Sequence, residues 1–251
     1  MRIALFTLES LASSEAVLQF VARDPSRIVL VGHSAPSRLA QTRRHLARSG
    51  PGFLPYLACN FAFPGLFRRS GRLSDLCRAR RISALRVTDI NGDAARAAIL
   101  QSRADLILSF HFDQIFRAET LALTPLGGIN VHPSLLPRHR GPMPTLYALA
   151  EGATGASVHV LAPRIDAGGV LAQRDVMLPP GLSVGGAARA LHLAALPLLE
   201  EALALLPAQP APALLLPYCP FPDAATLRRL AIPLVRPEDW RAALFAPAGG
   251  W

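Results

Sequence analysis

Apolar and polar positions follow two rhythms along the first half of the chain. Short apolar runs at 2–7, 28–32, 82–87 and 105–110 end in turn-forming residues and predict buried β-strands. Between them, 13–23, 37–49, 73–81 and 92–103 carry apolar residues at helical spacing. Asn91 stands where the last of these helices needs an N-cap. Alternating strands and helices predict an α/β fold, a Rossmann-like and mostly parallel sheet flanked by helices. Ligands of such sheets lie beyond the carboxyl ends of the strands.

The pattern changes after residue 127. A fifth strand, 128–132 (GINVH), runs into the loop PSLLPRHRGP and a helix at 143–151. Residues 156–161 and 169–176 alternate faces and predict an antiparallel pair joined by the turn APRIDAGG. Ser183 is placed to cap a long helix over 184–206, with a kink expected at Pro197. Six of the sixteen residues in 207–222 are proline, which predicts an extended strap. Two short helical patterns follow at 223–231 and 237–244. The expected organisation is one domain over 1–206 and a proline-rich C-terminal extension over 207–251.

Composition sharpens this picture in a few places. Apolar residues make up 51% of the chain, enough for a sizeable core and too many for global disorder. The N-terminal run MRIALFTLES reads as a first strand rather than a signal peptide. The charge-free stretch between Glu201 and Asp223 is broken by prolines and does not fit a membrane helix. Three cysteines without a C-x-x-C pair point away from a disulfide framework or a zinc site, and fit a reducing, cytoplasmic setting. TLESLASSEA after the first strand has neither G-x-G-x-x-G nor a phosphate loop, which argues against a dinucleotide cofactor.

The net charge is +9 and every basic residue is arginine. Residues 36–86 hold eleven arginines against one acid, Asp75. That segment is either a solvated face or a surface for phosphate or carboxylate, which arginine binds bidentately. Within it, the aromatic-rich stretch 51–72 sits between arginine clusters. It is open to reading as a buried helical hairpin, a lid, a dimer contact, or an interfacial surface meeting a membrane or a lipid-linked substrate.

Three residues carry candidate chemistry. Asn130 and His132 lie two apart on a strand and so share a face. The turn after the next strand supplies Asp166, followed by Gly168 and Gly169. Asn and protonated His can both donate to an oxyanion, and a nearby carboxylate raises a histidine pKa and orients the ring. Such a set supports acyl transfer to an external amine; a satisfied polar pair is the alternative. His159 reads as a packed core histidine, His111 as structural, and Tyr218 and Phe221 as packing residues. Arg138 and Arg140 are either solvated or ligand-lining.

The strings GGINVHPSLLPRHRG (127–141) and DAGGVLAQ (166–173) resemble the signature of the 10-formyltetrahydrofolate-dependent formyltransferases, and DLILSFHFDQI (105–115) resembles that family's preceding strand and folate-side loop. The family includes glycinamide ribonucleotide, methionyl-tRNA and amino-sugar formyltransferases. The resemblance implies the formyltransferase fold, formyl transfer in one-carbon metabolism, 10-formyltetrahydrofolate as formyl-donating co-substrate, and no metal. It implies that Asn130 polarises the formyl carbonyl, that His132 stabilises the oxyanion, and that Asp166 keeps His132 protonated. It further implies a folate site formed by Phe112, Asp113, Gln114, Ile115 and Ile165, with Ser134, Leu135, Leu136 and Pro137 as its wall.

The arginine excess makes an anionic small-molecule amine, a nucleotide- or lipid-linked amino sugar, the expected acceptor. Forty-five residues follow 206, short of the β-rich domain that a tRNA-formylating enzyme uses, so no nucleic-acid partner is expected. A 10-formyltetrahydrofolate hydrolase, a non-catalytic folate-fold binding protein and, from the basic charge, a tRNA-binding function are the competing readings. Oligomeric state stays open.

Overall fold

The computed structural model describes the chain except for residues 9, 36–37, 65–71, 209, 212–215 and 246–251. The arginines at 68 and 69, the end of the 51–72 stretch and part of the strap therefore lie outside the described residues.

Seven strands form one sheet: β1 (Ile3–Thr7), β2 (Ile28–Ser34), β3 (Ser83–Val87), β4 (Leu106–Phe110), β5 (Gly128–His132), β6 (Gly155–Val160) and β7 (Val170–Asp175). Their spatial order is β3-β2-β1-β4-β5-β6-β7. The first five are mutually parallel, while β6 runs antiparallel to β5 and β7 antiparallel to β6. Every residue of β1 and β4 is buried, as expected for central strands covered on both faces. From β1 the chain moves outward to β2 and β3, then returns to β4 on the other side. The strand order thus reverses beside β1, and the crevice of such a sheet opens at this point.

The helices are α1 (Ser14–Arg23), α2 (Arg38–Ser49), the single turn α3 (Leu54–Leu57), α4 (Leu73–Arg80), α5 (Asp93–Ser102), α6 (Ala118–Leu121), α7 (Pro144–Glu151), α8 (Val184–Leu205), α9 (Ala224–Leu230) and α10 (Pro237–Phe245). One core layer places α1 and α8 against the sheet through residues such as Phe20, Leu108, Val158 and Leu198. The opposite layer joins Phe6, Ile99, Ile107 and Phe116. Ser183 caps α8 as expected, its hydroxyl accepting the Gly186 N–H at 2.8 Å, and α8 continues through Pro197.

One expectation changes. Gly92, not Asn91, is the N-cap of α5. The Asn91 amide oxygen instead accepts from Arg117 N–H and Thr120 Oγ1, both at 2.9 Å, and so supports the start of α6. The described part of the aromatic stretch, 51–64, is partly buried, as the hairpin reading has it. Phe53 is 1% exposed and clusters with Tyr56, Leu146 and Phe221, and Phe63 meets Trp240 edge-on. Among the described residues no helix is long and apolar enough to cross a membrane.

Candidate active site

β5 aims Asn130 and His132 at the carboxyl edge of the sheet, where the antiparallel β6 faces them. Asn130 pairs in register with His159, and His132 with Ser157. Directly opposite residues of an antiparallel pair share a face, so His159 joins the Asn130–His132 face. The Asn130 Nδ2 and His159 Nε2 atoms are 3.0 Å apart, and His159 Nδ1 lies 2.9 Å from the Val160 carbonyl. A carbonyl only accepts, so Nδ1 carries a proton and Nε2 can receive the Asn130 amide N–H.

Asp166 enters from the β6–β7 turn with a φ of 47°, a left-handed conformation that Asp tolerates better than most residues. Gly168 lets this turn close onto β6: a Cβ there would sit 1.8 Å from the Val160 carbonyl oxygen. Asp166 Oδ1 lies 3.7 Å from His132 Nδ1 and 3.6 Å from His159 Nε2. Its Oδ2 accepts the Gly141 N–H at 2.9 Å. One carboxylate is thus shared between two histidines and a backbone amide.

The electrostatics depart from expectation at His132. Burial lowers its pKa, and the Asp166 charge opposes burial without overcoming it. Burial therefore favours the neutral His132 ring, whereas the resemblance implies a protonated one. Its side chain is only 5% exposed and its separation from Asp166 is longer than a hydrogen bond, so desolvation dominates. Burial pushes the Asp166 pKa up, but His132, His159 and the Gly141 N–H together hold it well below the usual carboxylate range.

These groups open into a cavity of about 360 Å³. Phe112, Asp113, Gln114, Ile115 and Ile165 line it, as the sequence suggested. The side chains of Asp113 and Gln114 are already engaged. Asp113 accepts from Ser34 Oγ and from Gln41 Nε2, and Gln114 donates to Ser34 Oγ and the Val87 carbonyl while accepting the Ile90 N–H.

Ser134, Leu135, Leu136 and Pro137 follow the lining residues His132 and Pro133 and are held from behind. Ser134 Oγ donates to the Arg138 carbonyl, and Ser157 Oγ bridges the Ser134 carbonyl and the Leu136 N–H. Gln173 donates to the Leu136 carbonyl. The loop is bound down onto β6 and β7.

Sequence reasoning missed or left open five contributors. His159 was assigned to the core, although its cross-strand register with Asn130 was the available signal. Arg140 is 3% exposed, and its guanidinium donates to the Ile165, Asp166 and Leu216 carbonyls. His192, on α8, lines the cavity; its Nδ1 meets the Ala12 carbonyl at 3.0 Å and burial lowers its pKa to about 3. His111, with a φ of 53°, is held through Nδ1 by Ser13 and Ser10, and burial lowers it to about 4. Tyr218 also lines the cavity, whereas Phe221 packs against His45 and Phe53 as expected. Arg138 is exposed.

Comparison with known proteins agrees with this arrangement. The family model described as "Formyl transferase" matches residues 75–203, just over half of the chain. A methionyl-tRNA formyltransferase of Roseiflexus castenholzii is 40% identical over 112 residues, covering 44% of this chain and 36% of that protein. One from Treponema pallidum is 34% identical over 154 residues, covering 56% and 48%. The chain thus spans between about a third and a half of the length of these two relatives. A sugar N-formyltransferase structure from a Shewanella species superposes with a TM-score of 0.57 at 16% identity, over 97% of this chain and 86% of that one. Glycinamide ribonucleotide transformylase 1 of Symbiobacterium toebii gives 0.55 at 20% identity, over 82% and 86%. The matched segment holds β3 to β7, with Asn130 and His132 on β5, the turn that carries Asp166, and most of α8; the chain belongs to the formyl transferase family.

Proposed function

We propose that the chain transfers a formyl group from 10-formyltetrahydrofolate to a primary amine, with Asn130, His132 and Asp166 as the catalytic residues. The observation that carries this reading is their convergence at one cavity that the 112–115 loop also lines. Asn130, steadied by His159, donates an amide N–H to the formyl oxygen. The incoming amine forms a C–N bond to the formyl carbon, and negative charge collects on that oxygen. His132 starts neutral; the developing anion favours its protonated form, so the ring takes the amine proton as charge builds. Asp166 steadies that imidazolium. The bond from carbon to the folate nitrogen then breaks, and His132 returns the proton to the leaving nitrogen. Residues 1–206 form the catalytic unit in this reading, and 207–251 an extension that folds back onto it.

The acceptor in this reading is anionic, a nucleotide- or lipid-linked amino sugar. Arg43, Arg44 and Arg48 are exposed on α2, and α2 is tied to the cavity rim by the bond from Gln41 to Asp113 at 2.9 Å.

Thermal shift tests the donor. A reduced folate carrying a formyl group at N10 should raise Tm with concentration, since it binds the native state alone. His132→Ala should keep that shift while losing about 10²–10³-fold in rate. No shift in well-folded protein sinks the reading. For the acceptor, Arg43→Glu with Arg44→Glu should raise KM; an unchanged KM removes the anionic assignment.

A further inference from the structure

The cavity reaches both layers of the fold. Phe112, Phe116 and Leu161 on its lining belong to the layer opposite α8. On the other side it is lined by Val184, Ala188 and His192, whose four-residue spacing places them on one face of α8. Val184 and Ala188 are apolar, so His192 supplies the side-chain polarity of this stripe. It is 1% exposed, and the formyl-transfer chemistry of Asn130, His132 and Asp166 makes no use of it.

The setting of the ring determines what it can bind. Its Nδ1 lies 3.0 Å from the Ala12 carbonyl. A carbonyl only accepts, so Nδ1 carries the proton and Nε2 of the neutral ring is a bare lone pair. Burial, aided by the His111 and His132 charges, holds the His192 pKa at about 3, so the ring stays neutral at working pH. The Ala188 carbonyl, one turn back, also favours a ring N–H, yet Nε2 is buried with no hydrogen-bond partner among the described residues. The Phe110 and His111 rings crowd it, with centroids 5.5 and 5.2 Å away, and His111 Nδ1 is already engaged by Ser10 and Ser13.

A buried acceptor without a donor is costly, and one on a cavity wall selects the ligand that meets it. The Nε2 lone pair has no proton to give. A carboxylate or phosphate oxygen placed against it would be repelled, whereas an O–H or N–H would be bound.

We propose that the amine acceptor occupies the α8 side of the cavity and that His192 Nε2 accepts a hydrogen bond from an O–H or N–H carried beside its amine, which makes His192 a specificity-determining residue. This rests on the formyl-transfer reading. The formyl donor then lies on the Phe112 side, and the negatively charged part of the acceptor lies away from His192.

The test uses the full chain, 10-formyltetrahydrofolate and two small amines, ethanolamine and 2-methoxyethylamine, which differ in a single O–H donor. The parent should favour ethanolamine in kcat/KM by about tenfold. His192→Leu should bring the two amines within about twofold of each other, with transfer to 2-methoxyethylamine and the folate-induced rise in Tm both kept. Equal use of the two amines by the parent, or an undiminished preference in the variant, overturns the proposal. So does a parent that binds the folate and formylates neither amine. A second measurement serves if His192→Leu does not fold. In the parent with isotope-labelled imidazole nitrogens, ethanolamine should move the Nε2 resonance that His192→Gln lacks, and 2-methoxyethylamine should not. An Nε2 resonance that ethanolamine leaves in place overturns the proposal. Absence of folate binding instead sinks the formyl-transfer reading, and this proposal with it.

Discussion

Asn130 and His159 face each other across the antiparallel β5–β6 pair, with Nδ2 and Nε2 3.0 Å apart. The relationship fixes the Asn130 amide. His159 Nδ1 gives its proton to the Val160 carbonyl, so Nε2 is the acceptor and the amide nitrogen must face it. Replacing His159 with Leu removes that constraint and takes this partner from the half-buried Asn130 amide. The expected result is a drop in formyl-transfer turnover of about tenfold or more, with folate-induced thermal shift retained. A variant with unchanged turnover would return His159 to a packing role.

The buried histidines give the protein a distinctive acid response. An unfolded histidine titrates near pH 6.5, whereas folded His192 stays neutral down to about 3 because burial opposes its charge. Between those values the unfolded state binds more protons, so stability falls as pH falls. His111, lowered to about 4, acts in the same direction. Asp166 adds a contribution that is present above the ordinary carboxylate pKa and lost as pH drops through its depressed folded value. Thermal unfolding should show Tm decreasing steadily below about pH 6.5. His192→Gln should flatten that slope, and an identical slope in the variant would refute the assignment.

Most of the fold was legible because its signals are local. The apolar runs at 2–7 and 105–110 became fully buried strands, and Ser183 became the cap its position promised. Asn91 shows where local reasoning fails: a good cap residue was recruited by a segment 26 residues away, to which Gly92 left it free. The Asn130–His132 face was readable from strand period alone, and Asp166 from the family-like turn. The charge state of His132 was not, because desolvation depends on how deeply the assembled sheet buries it. The bonds from Ser157 and Gln173 to the Ser134–Pro137 loop were hidden as well, because they come from strands whose positions no local pattern gives.

Gly141 and Gly169 are expected to be intolerant of any side chain. Gly141 has a φ of 132°, and at both positions a Cβ would collide with a backbone oxygen of the strap, which cannot rotate away. Gly169→Ala should destabilise the fold by about 1–3 kcal/mol and open the strap to limited proteolysis between residues 207 and 222. Gly141→Ala should do the same and also lower turnover, since the Gly141 N–H holds Asp166 Oδ2. Cleavage patterns matching the parent would show that the strap does not depend on these close approaches.

Arg140 links the two halves of this argument. Its buried guanidinium reaches the Ile165 and Asp166 carbonyls on one side and the Leu216 carbonyl on the other. It thereby joins the turn bearing the catalytic acid to the strap bearing Tyr218, and its own carbonyl receives the Cys219 N–H. Arg140→Met would leave these carbonyls without their donors, at a cost of about 1–3 kcal/mol. Arg140→Lys keeps the charge but not the planar fork, so it should recover only part of the loss. Denaturant midpoints measure that ordering, parent above Lys above Met. Turnover should fall in the same order while folate binding persists, because the 112–115 loop does not depend on this guanidinium. Full activity in Arg140→Lys would mean that charge alone, rather than the forked geometry, holds the turn and the strap together.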